Sequence, residues 1–350
     1  MVHRTIGIVG LLACLAVAGC SSASNETAEP GSTVRLLAHD SFLLSDEVLA
    51  SFTEQTGVKV EVLSGGDAGS MVAGAVLAAG EPTADVMFGA DNTLVQKAID
   101  AGVFEAYTAQ DRSVLDPDIL GYLDTDAVTP TDFGDVCVNI DDAWFQREGI
   151  APPTTLEDLT GPQYRDLLVV QDPATSSPGL AFLLATISRF GDAWPDYWAA
   201  LRDNGVKVSG SWTDSYYGDF TPAGGDRPLV VSYATSPPAE IVFAEGTPPT
   251  RPSTSVLTDG CYRQIEYAGV LAGAENPQGA RLLIDWLISK PVQEDIPLNM
   301  FVFPARSDAQ LPQVFVDFAA QVDDPEQIPA GDIAMNLDEW LARWGEILGR

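Results

Sequence analysis

The sequence predicts an α/β fold built on a largely parallel sheet. Three observations carry this. Apolar strand-like runs alternate with amphipathic helical runs from residue 33 onward, short turns rich in Gly, Asp and Ser separate them, and the rhythm breaks at 127–141 into one longer strand-like segment. That break reads as a crossing from one lobe to another, and the alternating run at 261–268 as a second crossing.

Residues 33–38 form the first strand candidate and end at His39-Asp40-Ser41-Phe42. Asp46–Thr56 reads as a helix capped by Asp46, with Val48, Leu49 and Phe52 on one face and Gly57 stopping it. A strand at 58–63, the SGGDAG turn at 64–69, a helix at 71–79 and a strand at 84–89 follow. Asp91 then caps a helix over 91–101. Asp40, Asp67 and Asp91 thus fall at or just after strand ends, the rim where open α/β sheets bind ligands.

Beyond the crossing, a Pro/Thr loop at 152–159 leads to a strand ending at Gln171 and a helix over 180–190. An aromatic-rich helix over 187–201 and a short strand at 206–209 come next. GSWTDSYYGDF at 210–220 reads as an aromatic loop or helix start. Helices are expected at 277–288, from 291 and at 337–348, where Trp340 and Trp344 share a face and read as core. LNMFVFP at 298–304 is an apolar aromatic segment.

The stretch VVQDPATSSPGL at 169–180 hands a strand over to a helix N-terminus, where free N–H groups and hydroxyls make a polar-group site or a plain capping turn. VVSYATSPP at 230–238 repeats the theme, which suggests one cleft approached from two sides.

The 350 residues are 46% hydrophobic, enough for one or two domains. Residues 1–19 read as a signal peptide, with a basic start and an apolar run over 6–18 that is too short for a membrane span. Val17-Ala18-Gly19-Cys20 resembles a lipobox, which makes Cys20 the expected lipidation site and 20–32 a flexible tether. The expected location is therefore extracytoplasmic, with the body lipid-anchored to the cell membrane. A formal net charge of −32 argues against nucleic acid as a partner. Cys137 and Cys261 remain as an even pair in an exported chain, which invites a disulfide.

No phosphate loop of the Walker or dinucleotide type is present. His39 is the only histidine after the signal, and its neighbours Asp40 and Ser41 are badly placed for a catalytic triad, so a hydrolase is disfavoured. What stands out is aromatic residues beside carboxylates and hydroxyls at loop positions: Phe42 by Asp40, Trp212, Tyr216 and Tyr217 by Asp214, Tyr233 by Ser232, and Phe301. Such pairs suit a flat organic cation.

HDSF at 39–42, ADVMFGADN at 84–92, QDPATSSPGL at 171–180, SW at 211–212 and SYATSPP at 232–238 together resemble the thiamine-binding proteins of bacterial thiamine ABC importers. The resemblance runs from about Val34 to Pro304. It implies a two-lobed periplasmic-binding-protein fold with two crossing hinge strands, and a cleft that closes on thiamine, thiamine monophosphate or thiamine diphosphate without a cofactor. It also implies an ABC permease as partner and a monomer. By motif, Asp40 and Asp67 serve the cationic part of the ligand, Ser176 and its turn the phosphate end, and Trp212, Tyr216, Tyr233 and Phe301 the rings. The lobes implied are 33–135 with 264–305, and 136–263 with 306–350. In the resembled fold the two crossings run side by side, which brings Cys137 to Cys261.

The chain departs from the family pattern at His39, Ala68, Pro238-Ala239 and Phe301, where Tyr, Gly, an aromatic and Trp are expected, so the aromatic cage is thinner. Two other readings stay open at this level. Tyr216-Tyr217 is an adjacent pair of the kind that ferric-ion binders use. Cys137 is a nucleophile candidate for a thiaminase-like enzyme.

Overall fold

The computed structural model describes Met1 and residues 31–350. The signal peptide, Cys20 and the tether up to Pro30 lie outside the described residues. Gly31 and Ser32 already belong to the folded body, through hydrogen bonds from Gly31 N–H to the Gly57 carbonyl and from Lys59 N–H to the Ser32 carbonyl.

The strands are β1 (Thr33–Ala38), β2 (Lys59–Ser64), β3 (Val86–Asp91), β4 (Thr129–Asp141), β5 (Leu168–Gln171), β6 (Lys207–Ser209), β7 (Leu229–Tyr233), β8 (Thr254–Val270) and β9 (Phe303–Pro304). Among the described residues they run in the order β2-β1-β3-β8-β4-β7-β5-β6, with β9 beside β4. β1, β2 and β3 are mutually parallel, as are β5, β6 and β7. The two groups meet through β4 and β8, the long antiparallel pair. β3 joins the Glu266–Val270 part of β8, whereas β7 joins β4 from Val136 onward. This is the mixed α/β, two-lobed architecture with two crossing strands.

β1 alternates, with Val34, Leu36 and Ala38 buried, while β3 is buried along its whole length as a central parallel strand must be. Two expected boundaries moved for local reasons. Ser45, not Asp46, caps the Asp46–Thr56 helix, its Oγ accepting from Val48 N–H at 3.3 Å. Asp91 caps no helix: β3 runs through it, the next helix is Val95–Asp100, and its carboxylate turns inward. The aromatic segment expected as a helix over 187–201 is two helices, Ser177–Phe190 and Trp194–Asp203, broken at Gly191.

A disulfide joins Cys137 to Cys261, whose Cα atoms are 4.5 Å apart. It sits where the β4–β8 register slips, between the Val136–Tyr262 and Val138–Leu257 pairs. The last helix, Ala330–Leu348, packs on Trp194–Asp203 through an edge-to-face contact of Trp344 with Trp198 at 5.6 Å. Trp344 is buried, as read from the sequence, and Trp340 lies partly buried against the same core. No described helix is long and apolar enough to cross a membrane.

Candidate functional site

A cleft of about 380 Å³ opens where the strand ends of the two parallel groups face one another, a size typical of small-molecule sites. Of the residues expected at the site, Asp40, Asp67, Trp212, Tyr216, Tyr233 and Phe301 line it. Ser176 does not. It takes the N-cap position of the Ser177–Phe190 helix, is buried, and its Oγ faces Asp67 without a well-formed hydrogen bond, while Ser177 reaches the cleft instead.

The aromatic wall comes from a tight turn. Trp212–Asp214 is one helical turn capped by Ser211, followed by a wider turn over Ser215–Asp219. This stacks the Trp212 and Tyr216 rings at 4.9 Å and 15° and leaves Tyr217 edge-on and exposed. Trp212 Nε1–H donates to Ser232 Oγ at 3.0 Å, which fixes the indole. Opposite it, Phe301 holds a left-handed backbone, φ 55°, that non-glycine residues rarely adopt. Thr235 Oγ1–H donates to its carbonyl at 2.5 Å, and its ring meets Phe243 at 5.3 Å. Phe243 partly replaces the aromatic missing at Pro238-Ala239, from one helical turn further along.

The floor is acidic, and little of it is legible in the sequence. Glu266 on β8 lines the cleft, and its Oε2 lies 3.3 Å from His39 Nε2. Burial alone would push the His39 imidazole down, but Glu266, with Asp67 and Asp40 behind it, holds it above its ordinary value. His39 packs over Gly89, where a Cβ would come within 2.3 Å of the ring. Beneath lies Asp132, paired with Glu266 across β4 and β8 and pushed well up by burial and then by Glu266. Asp91 accepts from Ser177 Oγ–H and from Gln264 Nε2–H at 2.6 Å. No Lys or Arg is among the described residues that line the cleft.

Asp67 spans the cleft. Its Oδ1 accepts from Ser177 N–H at 3.2 Å and its Oδ2 from Trp212 N–H at 3.0 Å. Burial raises its pKa, and these two N–H groups pull it back.

Residues 81–329 match the family model described as bacterial extracellular solute-binding protein. The chain belongs to that family. It is 28% identical over 323 residues to a thiamine-binding periplasmic protein of Brucella suis, covering 91% of this chain and 92% of that one. A solved periplasmic thiamin binding protein superposes with a TM-score of 0.80 at 23% identity, over 91% of this chain and 96% of that one. A ferric binding protein from Campylobacter jejuni superposes at 0.71 and 16% identity, over 90% and 99%, so the shared fold by itself does not fix the ligand. The chain is a solute-binding protein, of the ABC-importer type.

Proposed function

We propose that the protein captures thiamine or a closely related organic cation in this cleft and delivers it to an ABC permease, as an extracytoplasmic lipoprotein anchored through Cys20. The observation that carries the reading is a cleft walled by the Trp212–Tyr216 stack, floored by Glu266 and lined also by the exposed Asp40, with no lysine or arginine among its described lining residues. Aromatic faces attract a delocalised cation, and carboxylates in a partly desolvated cleft attract it more strongly than they would in water. The likeness to thiamine-binding relatives along almost the whole chain supports the same ligand class. We further propose the lobes as 33–135 with 264–305, and 136–263 with 306–350.

Iron fits less well. Burial and then Glu240 push the Tyr216 phenol upward, away from the phenolate that ferric iron needs, and its ring is committed to stacking on Trp212. A thiaminase-like reaction fits less well too, because Cys137 in a disulfide offers no thiolate. Titration with thiamine, followed by tryptophan fluorescence, tests the reading. Saturable quenching at one site is expected, and no change up to millimolar thiamine would overturn it.

A further inference from the structure

We infer that Asp132, sealed beneath the cleft and out of the ligand's reach, carries a proton and donates it in a hydrogen bond to Glu266, and so positions that carboxylate toward the bound cation. Its effect on binding rests on the thiamine-type reading above.

Asp132 and Glu266 are register partners on the antiparallel strands β4 and β8, so their side chains leave the sheet on the same face. Asp132 is 0% exposed and does not line the cleft, whereas Glu266 lines it. Two carboxyls that face each other across paired strands do not both ionise, and the proton stays on the one farther from water. The hydrogen bonds point the same way. Asp132 Oδ2 accepts from Thr131 Oγ1–H at 3.0 Å, but Oδ1 is buried and receives no hydrogen bond from any described residue. A bare carboxylate oxygen there would lose its hydration and gain nothing in return. As an O–H it becomes a donor, and Glu266 is the acceptor that faces it. Glu266 is then held from two sides, by Asp132 beneath and by His39 Nε2 at 3.3 Å.

Among the described residues, nothing around Asp132 supplies a compensating cation. Glu266 is the charged group acting on it from β8, and Thr131 is the polar one from its own strand. From β7 comes Tyr233, whose phenol burial keeps neutral. β9 meets Asp132 at Pro304, and the helix Lys290–Asn299 contributes Gln293, whose Nε2–H donates to the Thr131 carbonyl at 2.8 Å. Arg263 on β8 is taken by Asp135. Burial and then Glu266 push the Asp132 carboxyl well up, in keeping with this arrangement. A carboxylate fixed before the ligand arrives gives up less freedom on binding than one that must be ordered by it.

The test compares the unaltered protein with Asp132→Asn, which keeps a donor of the same shape, and Asp132→Ala, which removes it. Infrared difference spectra at neutral pH should show a carboxylic-acid C=O band in the unaltered protein that is missing from Asp132→Asn. Calorimetric titration should give thiamine affinities within about twofold for Asp132→Asn and about tenfold weaker for Asp132→Ala, with a neutral analogue lacking the thiazolium charge little affected by either. The Tm of Asp132→Asn should exceed that of the unaltered protein by a margin that widens as pH rises, because the stability tied to a raised carboxyl is lost in that direction. No such band, a margin that shrinks with rising pH, or a loss of thiamine affinity in Asp132→Asn as large as in Asp132→Ala would overturn the inference. The band and the Asp132→Asn arms decide it even where Asp132→Ala does not fold. Failure of thiamine to bind the unaltered protein would instead overturn the thiamine-type reading and the positioning role with it, while the band still decides where the proton sits.

Discussion

His39 Nε2 and Glu266 Oε2 lie 3.3 Å apart at the floor of the cleft, one just after β1 and the other from the later part of β8. Burial opposes a charge on the imidazole, and Glu266, with Asp67 and Asp40, more than offsets it. A pKa raised on folding contributes stability that is complete below the ordinary imidazole value of about 6.5 and is lost as pH rises through the raised folded value. Asp67 and Asp91, raised chiefly by burial, act in the same sense at lower pH, because the unfolded carboxylates ionise first. The Tm of the ligand-free protein should therefore fall from mildly acidic to alkaline pH, and His39→Gln should flatten the upper part of that fall. A Tm that rises across neutrality, or an unaltered profile in the variant, would contradict the assignment.

The same pair couples proton and ligand. A cation entering beside Glu266 disfavours the protonated imidazole, so binding should release a fraction of a proton above about pH 6. Calorimetry in buffers of different ionisation enthalpy measures this directly, and the release should vanish in His39→Gln. Thiamine affinity should correspondingly rise with pH.

Trp212 stacks on Tyr216 within the lining. Trp212→Ala should remove most of the thiamine-dependent fluorescence change and weaken binding about tenfold, the effect of a cation–π contact of roughly 0.5–2 kcal/mol. Full affinity in the folded variant would place the ligand elsewhere.

Glu266→Gln and Asp40→Asn should each weaken thiamine binding more than binding of a neutral analogue that lacks the thiazolium charge, because a carboxylate attracts a fixed cation more strongly where water is partly excluded. Equal losses for the two ligands would mark these carboxylates as structural.

The Cys137–Cys261 bond closes a loop with a sequence separation of 124 and pins the slipped register between the long strands. Replacing both with Ala should lower the unfolding free energy by about 2–5 kcal/mol. Denatured, unreduced protein lacking Cys20 should titrate no free thiol from these positions.

Much of this was legible in the chain because it is local. Strand–helix alternation, the turns at 64–69 and 169–180, and the aromatic run at 211–217 all announce themselves within a few residues. Glu266 and Asp132 did not. In an alternating strand a carboxylate reads as solvent-facing, and only the pairing of β4 with β8 inside a sheet covered on both sides shows them to be buried. The available signal was weak: Glu266 is flanked by Ile265 and Tyr267 in a run otherwise rich in core residues. Asp91 reads as a cap because an Asp before a helical pattern ordinarily is one, whereas the strand runs through it. The choice between Ser176 and Ser177 turns on the helix entry, since the residue in the N-cap position faces inward and the next one reaches the cleft. Asp67 is legible as a site residue, but its engagement with Ser177 and Trp212, 110 and 145 positions away, is set by the tertiary fold.

Native mass spectrometry of the mature protein, titrated with thiamine and with ferric iron in parallel, tests the central claim most directly. The expected result is a single adduct of the thiamine cation that saturates at one per chain and is lost in the Trp212→Ala, Glu266→Gln double variant. Saturation with iron and no thiamine adduct, or a thiamine adduct indifferent to that double substitution, would contradict it.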